Sequence, residues 1–286
     1  MLFIKLANSN FNPVEYKKRT IRIWNEVAPR YHKRWASIDS GPFQSTTKLV
    51  KLAKIKKGDI VLDLACGTGV VTNKISSKVG KEGMVIGIDT SKKAISIAKK
   101  FNAKKNNVEF VLSDAENFYF NRYFDVITCQ YALFLFPNSQ KALHTAKKLL
   151  KENGTIAISV HGKNVPFFDN ILDAILKFIP DYIPPGAPSL DRFGTKKSLS
   201  DEVKKAGFSE IKVNEFTFRY SPGTFTDYWS NYKKYIAKPL KEKLDKLSTK
   251  QKKVLRETVK ENVIPYTKKD GTIVFPWQVL ILTAKK

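Results

Sequence analysis

The sequence predicts an α/β fold with a doubly wound, mostly parallel sheet and added helical segments. The first observation behind this prediction is a buried apolar strand at residues 60–64. It leads into a turn with two glycines in three residues, Gly67 and Gly69, and then into a helical pattern. The second is that further apolar, β-branched runs alternate with amphipathic helical patterns along residues 84–160. This alternation favours parallel strands with both faces of the sheet covered by helices.

The spacing within the glycine turn narrows the choice of ligand. The dinucleotide fingerprint places a third glycine where this chain has Thr72, which counts against NAD and FAD. A phosphate-binding loop is excluded because no Gly-Lys-Ser/Thr follows the turn. An acidic residue, Asp63, stands just before the glycines. A carboxylate there suits S-adenosylmethionine (SAM), which carries an ammonium and a carboxylate on its methionine end.

The run from Val61 to Gly69 resembles motif I of class I SAM-dependent methyltransferases, and the likeness extends over residues 24–208. The resemblance implies a Rossmann-like sheet of seven strands with the last strand antiparallel. It also implies a SAM cofactor and transfer of a methyl group by in-line displacement. The order of elements and an inserted lid are most similar to the branch that acts in quinone and lipid biosynthesis.

Several residues are candidates for holding the cofactor. Asp89 ends the second predicted strand, where a carboxylate can accept both ribose hydroxyls; its alternative role is to cap the next helix, which Thr90 or Ser91 could do instead. The resemblance implies that Asp114 and Ala115 meet adenine, and Asp114 has the same capping alternative. It also implies that Tyr31, on an amphipathic N-terminal helix, closes over the methionine end. The complete set of predicted cofactor residues is Tyr31, Asp63, Ala65, Cys66, Gly67, Gly69, Asp89, Thr90, Asp114, Ala115 and Gln130.

The methyl acceptor is less well defined. The fourth strand leads into residues 130–133, Gln-Tyr-Ala-Leu, rather than the Asn/Asp-Pro-Pro-Tyr/Phe of enzymes that methylate base amines. This difference counts against methylation of adenine or cytosine amines and leaves other RNA positions open; the resemblance implies a small or lipid-like acceptor. The catalytic candidates are Tyr131 and His161; His161 follows the fifth strand, where it is either a general base or a structural histidine. No spacing typical of a metal site is found, and SAM chemistry requires no protein nucleophile.

Charge and composition bear on partners and location. The net charge is +25, and the excess is concentrated in two segments: residues 1–59 have 13 basic against 4 acidic side chains, and residues 223–270 have 13 against 6. This indicates either a surface for an anionic partner or a lysine-rich solvated surface. No apolar run approaches the length of a membrane span, and no signal peptide is recognised. Cys66 and Cys129 are expected to be reduced thiols of a cytoplasmic protein, with a redox pair as the alternative.

The chain divides into four predicted regions: an N-terminal helical arm (1–58), a SAM-binding core (59–222) with a lid insert (164–194), a helical cap insertion (223–271) and a final core strand (272–286). Strands are predicted at 60–64, 84–88, 108–112, 124–129, 155–160, 211–220 and 272–282. Helices are predicted over 16–35, 43–55, 91–103, 139–150 and 195–206, with an amphipathic helix in the lid insert that ends at Pro184-Pro185-Gly186.

Two other functions stay open: an RNA methyltransferase that uses the basic arm and cap, and a SAM-binding module without catalysis. An NAD oxidoreductase is a minor alternative.

Overall fold

The structure, a computed structural model, describes residues 11–36, 41–180, 187–235 and 238–286. Within them a sheet of seven strands has the order β3-β2-β1-β4-β5-β7-β6. The strands are β1 (Ile60–Leu64), β2 (Met84–Asp89), β3 (Val108–Leu112), β4 (Phe124–Gln130), β5 (Leu150–His161), β6 (Ser209–Thr224) and β7 (Thr272–Lys285). The first five are parallel, and β7 is antiparallel to both β5 and β6. The predicted fold class is confirmed, including the antiparallel edge.

Helices connect these strands. They are α1 (Pro13–Trp35), α2 (Gln44–Leu52), α3 (Val70–Val79), α4 (Lys92–Phe101), α5 (Ser139–Leu149), α6 (Pro166–Leu176), α7 (Lys196–Lys205), α8 (Phe225–Tyr235), α9 (Lys238–Asp245) and α10 (Thr249–Asn262). The helix predicted over 43–55 is shorter, because a 3₁₀ turn from Gly41 to Phe43 precedes it and α2 ends at Leu52. The Pro-Pro-Gly predicted to end the lid helix lies outside the described residues, and α6 itself ends at Leu176.

Residues of the central strands alternate between two apolar layers, as the pleat of a sheet requires. On one face, Val61 and Val85 pack with α2 and α3 in a cluster that also includes α6 and α10. On the other face, Leu62 and Ile86 pack with α5 and α7. Covering both faces explains why these strands read as continuous apolar runs in the sequence.

The topology brings the carboxyl ends of β1 to β5 to one edge of the sheet. Because β7 is antiparallel to β5 and β6 is antiparallel to β7, β6 ends and β7 begins at this same edge. The connection between them, which contains α8, α9 and α10, therefore leaves and re-enters the sheet beside the functional edge. Ligands of open α/β sheets bind at this edge.

Candidate functional site

A cavity lies over the carboxyl ends of β1 to β4 and under the N-terminal helix α1. The floor is formed by the β1–α3 turn and by the residues that follow β2, β3 and β4; the roof is formed by one face of α1. Ten of the eleven residues predicted from the sequence to hold the cofactor line this cavity: Tyr31, Asp63, Ala65, Cys66, Gly67, Asp89, Thr90, Asp114, Ala115 and Gln130. Their assembly at one place shows that the separate sequence elements converge on a single site.

The two glycines of the turn have different surroundings. Gly67 has φ of +55°, and a Cβ built on it would meet none of the described atoms within 4 Å. A Cβ on Gly69 would lie 2.7 Å from Asn102 Nδ2 and 2.9 Å from Phe110 Cζ. Gly69 does not line the cavity; its lack of a side chain allows α4 and β3 to pack against the turn. The space in front of Gly67 is where a ligand can approach the backbone closely.

Asp63 is almost fully buried at the carboxyl end of β1. Its two carboxylate oxygens accept hydrogen bonds from Thr72 Oγ1 at 2.6 Å and Thr128 Oγ1 at 2.8 Å. Burial raises the pKa of Asp63 to about 6, although these two hydroxyl groups partly oppose the shift. Asp63 thus joins β1, α3 and β4 while it brings a negative charge to the cavity wall.

Asp89 connects the ends of β1 and β2. Its Oδ2 accepts from Gly67 N–H at 2.9 Å and its Oδ1 accepts from Ser91 N–H at 2.8 Å. Ser91 is the N-cap of α4, because its hydroxyl accepts from Ala94 N–H. The carboxylate of Asp89 is therefore not needed as the helix cap. It retains lone pairs at the cavity, as the predicted ribose contact requires. Burial raises the pKa of Asp89.

Asp114 follows β3 and has a partner that the sequence did not predict. Lys17 Nζ, on α1, lies 2.7 Å from Asp114 Oδ2 and 2.5 Å from Glu116 Oε2. Asp114 Oδ1 accepts from Glu116 N–H. Asp114 and Ala115 both line the cavity, so the predicted adenine end is closed by an ion pair from the roof.

Three further polar contacts fasten α1 over the cavity. Asn25 Oδ1 accepts from Ser91 Oγ at 2.9 Å and from Lys93 N–H at 3.0 Å, and His32 Nδ1 lies 2.9 Å from Thr68 Oγ1. Trp24 and Tyr31 meet edge to face on the underside of the helix. These contacts hold α1 in place as the roof of the cavity.

Gln130 and Tyr131 occupy the end of the cavity beside β4. Gln130 Nε2 donates to Thr46 Oγ1 of α2 at 2.8 Å. Gln130 Oε1 is buried and has no hydrogen-bond partner among the described residues. Tyr131 has φ of +53°, an uncommon backbone conformation for a non-glycine residue, of the kind that concentrates at functional sites. Burial, with a smaller contribution from Tyr31 nearby, raises the pKa of Tyr131, so its phenol stays protonated.

His161 lies outside the residues that line the cavity. Its ring stacks on Tyr131 with centroids 4.6 Å apart, and its Nδ1 accepts from Trp277 Nε1 at 3.2 Å. Burial lowers the pKa of His161 to about 3, so the imidazole is neutral near pH 7. These contacts favour the structural alternative, in which His161 supports Tyr131 from behind.

The two cysteines are both buried free thiols. Burial raises the pKa of Cys129 to about 12 and that of Cys66 well above its ordinary value. Both thiols are therefore protonated near neutral pH, a state in which they react slowly. Within the described part of the chain, no cluster of three or more side chains could hold a metal ion, and no helix is long and apolar enough to cross a membrane.

The arrangement of this site has the features that SAM requires. Space lies in front of Gly67, and carboxylates follow β2 and β3 at the positions predicted for ribose and adenine. The N-terminus of α3, which has no side-chain cap, meets the cavity at Val70 and Val71 and offers backbone N–H groups to a carboxylate. The residues present therefore fit the cofactor.

The chain is similar to known proteins in both sequence and fold. Residues 55–179 match the family model described as a methyltransferase domain. This match covers less than half of the chain; together with the fold and the sequence relatives it supports a SAM-dependent methyltransferase of class I, with SAM as its cofactor.

Among its sequence relatives are two demethylmenaquinone methyltransferases. The one from Staphylococcus saprophyticus is 28% identical over 209 residues, which cover 68% of this chain and 85% of the relative. The one from Staphylococcus aureus is 28% identical over 213 residues, which cover 70% and 84%.

Two solved structures share the fold. The YcgJ protein of Bacillus subtilis superposes with a TM-score of 0.57 at 19% identity, covering 85% of this chain and 98% of that one. Phosphoethanolamine N-methyltransferase 2 of Haemonchus contortus, in complex with SAM, has a TM-score of 0.58 at 17% identity. That match covers 96% of this chain and 60% of the other.

Proposed function

We propose that this methyltransferase acts on a small, lipid-like acceptor with an aromatic ring of the quinone type. The observation that carries the proposal is the aromatic content of the cavity lining. The side chains that line the cavity include Trp24, Tyr31, Phe43, Tyr131 and Phe136. Such a lining suits a flat apolar ring that is bound by stacking. The names of the sequence relatives, demethylmenaquinone methyltransferases, support the same class of acceptor.

The protein itself has few chemical tasks in this reaction. SAM, when bound, supplies a methyl group on a sulfonium that is already activated for displacement. The protein must orient the acceptor ring and exclude water. Helix α1, which forms the roof of the cavity, excludes water. Tyr31 and Tyr131 are available to orient the acceptor ring. Their phenols remain protonated, because burial raises the pKa of Tyr31 to about 12 and raises that of Tyr131 as well. A protonated phenol can donate to an oxygen on the acceptor ring and favour the ionised, more nucleophilic form of the ring.

Transfer of label from SAM tests the acceptor class. Radiolabelled SAM would be incubated with the protein and, separately, a short-chain demethylated naphthohydroquinone, phosphoethanolamine and total RNA. The expected result is label in the naphthohydroquinone alone. Label in RNA would favour the RNA methyltransferase instead, and SAM binding without label in any acceptor would favour the module without catalysis.

A matched pair of variants tests the aromatic end of the cavity. Tyr131→Phe removes a phenol that lines the cavity, whereas Tyr119→Phe removes one that is 80% exposed. We expect kcat/KM for the naphthohydroquinone to fall about tenfold in Tyr131→Phe, the loss of roughly one hydrogen bond in the transition state. The Tyr119→Phe control should keep the wild-type value. Equal kcat/KM in both variants would remove the Tyr131 hydroxyl from the proposed role.

A further inference from the structure

The side-chain amide of Gln130 is hydrogen-bonded to a residue far away in the sequence. Nε2 donates to Thr46 Oγ1 at 2.8 Å, which leaves Oε1 as a buried acceptor without a partner among the described residues. A buried carbonyl oxygen left without a donor is costly, and such atoms are rare in folded proteins. Gln130 lines the cofactor cavity, so a donor group of a bound ligand can satisfy this oxygen.

We propose that Gln130 Oε1 accepts a hydrogen bond from the ammonium of the cofactor's methionine end, and that Thr46 on α2 is the positioning residue that turns Oε1 toward it. The proposal rests on the cofactor and not on the identity of the acceptor. It gives α2 a role in cofactor binding, although Thr46 does not itself line the cavity.

The order of the strands places the methionine end near Gln130. Along the sheet, the cavity passes from Asp114 after β3, to Asp89 at the end of β2, to the β1–α3 turn, and then to Gln130 at the end of β4. A ligand whose adenine and ribose lie at the first two positions extends its remaining atoms toward β4. The uncapped N-terminus of α3 borders this end and attracts a carboxylate, which leaves the ammonium for a different group.

Asp63 is another acceptor that lines the cavity. Its two oxygens already accept hydrogen bonds from two threonine hydroxyl groups, as described above. Asp63 brings a negative charge and, like Asp89, keeps further lone pairs beyond these two hydrogen bonds. Gln130 Oε1, which has no partner among the described residues, adds a second acceptor for the ammonium.

A second glutamine has a similar side-chain environment but lies away from the cavity. Gln140 of α5 also has an occupied Nε2, which donates to Glu202 O at 2.8 Å, and its Oε1 is likewise buried without a described partner. Gln140 does not line the cavity. It therefore provides a matched control for loss of a buried glutamine amide.

The experiment compares two ligands by calorimetry. S-adenosylhomocysteine carries the amino-acid end, and 5′-methylthioadenosine lacks it. We expect Gln130→Met and Thr46→Val to raise the Kd of S-adenosylhomocysteine about tenfold and to change that of methylthioadenosine less than twofold. Thr46→Ser should restore wild-type binding because it keeps the hydroxyl, and Gln140→Met should bind both ligands as the wild type does.

A further variant identifies which group of the amino-acid end is bound. Gln130→Glu places two acceptor oxygens where the ammonium is proposed to lie, so its affinity for S-adenosylhomocysteine should be retained or increased. A loss in Gln130→Glu as large as that in Gln130→Met would mean that Gln130 faces the carboxylate instead, which overturns the proposal. Equal losses for both ligands, or no loss in Thr46→Val when thermal unfolding shows a folded protein, would also overturn it.

Discussion

Lys17 Nζ bridges Asp114 Oδ2 at 2.7 Å and Glu116 Oε2 at 2.5 Å, so a single lysine of α1 is paired with two carboxylates that follow β3. Lys17 is only partly exposed and Glu116 is nearly buried. The bridge joins the roof of the cavity to its floor at the predicted adenine end. The first prediction concerns this connection.

Replacing Lys17 should loosen the roof. In Lys17→Met we expect faster amide hydrogen exchange along α1 and a several-fold higher Kd for S-adenosylhomocysteine. The free energy of unfolding should fall by roughly 1–3 kcal/mol, because the nearly buried carboxylate of Glu116 loses its cationic partner. Lys18→Met is the control, since Lys18 pairs with Glu15 on the exposed side of the same helix. Identical exchange in the two variants would show that the bridge does not hold α1 closed.

The two glycines of the β1–α3 turn should respond differently to alanine. Gly67→Ala places a methyl group in open space at the cavity, so the protein should fold with a cost of about 1 kcal/mol from the left-handed backbone and should lose most SAM affinity. Gly69→Ala pushes a methyl group against Asn102 and Phe110, which should lower the free energy of unfolding by about 3 kcal/mol. Thermal unfolding and calorimetry separate the two effects. Normal SAM affinity in a folded Gly67→Ala protein would contradict the placement of the ligand.

Asp63 should make stability and SAM affinity depend on pH. Its pKa in the folded protein, about 6, is above the ordinary value of 3.8. The folded state therefore binds the proton more tightly than the unfolded state does. Binding of this proton therefore stabilises the folded state by roughly 3 kcal/mol below about pH 4, and this stabilisation is lost as the pH rises through 6. SAM affinity should change in the opposite direction, because the ionised carboxylate attracts the ammonium.

Asp63→Asn isolates this effect. Its free energy of unfolding, relative to the wild type, should rise between pH 4 and pH 7. Its SAM affinity should depend less on pH than that of the wild type, and the remaining dependence is expected from Asp89, whose pKa is also raised by burial. Denaturant unfolding and calorimetry at each pH provide the two measurements. If the difference in free energy of unfolding between the wild type and Asp63→Asn does not change with pH, Asp63 titrates near its ordinary pKa in the folded protein.

His161 should tolerate an apolar ring. His161→Phe preserves a ring beside Tyr131, so we expect turnover within about threefold of the wild type and an unchanged pH profile from pH 6 to pH 9. His161→Ala removes the stack and should lower the free energy of unfolding by about 2 kcal/mol. Turnover of both variants would be measured with the acceptor identified by label transfer. A loss of a hundredfold or more in His161→Phe, with stability retained, would restore the general-base role.

The sequence predicted the fold class, the enzyme class and the cofactor because each depends on local patterns. The run from residue 60 to 69 contains its own strand, turn and helix start, and Asp89 and Asp114 each end a recognisable strand. The roles of the individual site residues stay predictions. The structure adds that Gly69 serves packing and does not line the cavity.

The contacts that close the site could not be predicted in this way. Lys17 is 97 residues from Asp114, and Thr46 is 84 residues from Gln130. Neither has a neighbouring motif that distinguishes it from the many other lysines and threonines of the chain. Such pairs are set by how helices dock on the sheet, which depends on the whole core and not on a local period.

The hydrogen-bonded ladder between β6 and β7 extends to Thr224 and Thr272, the residues at which the cap segment leaves and rejoins the sheet. Because these two anchors are adjacent in space, the entropy of closing the intervening loop changes only slowly with its length. Evolution could therefore lengthen, shorten or exchange that segment while the cofactor cavity stays intact.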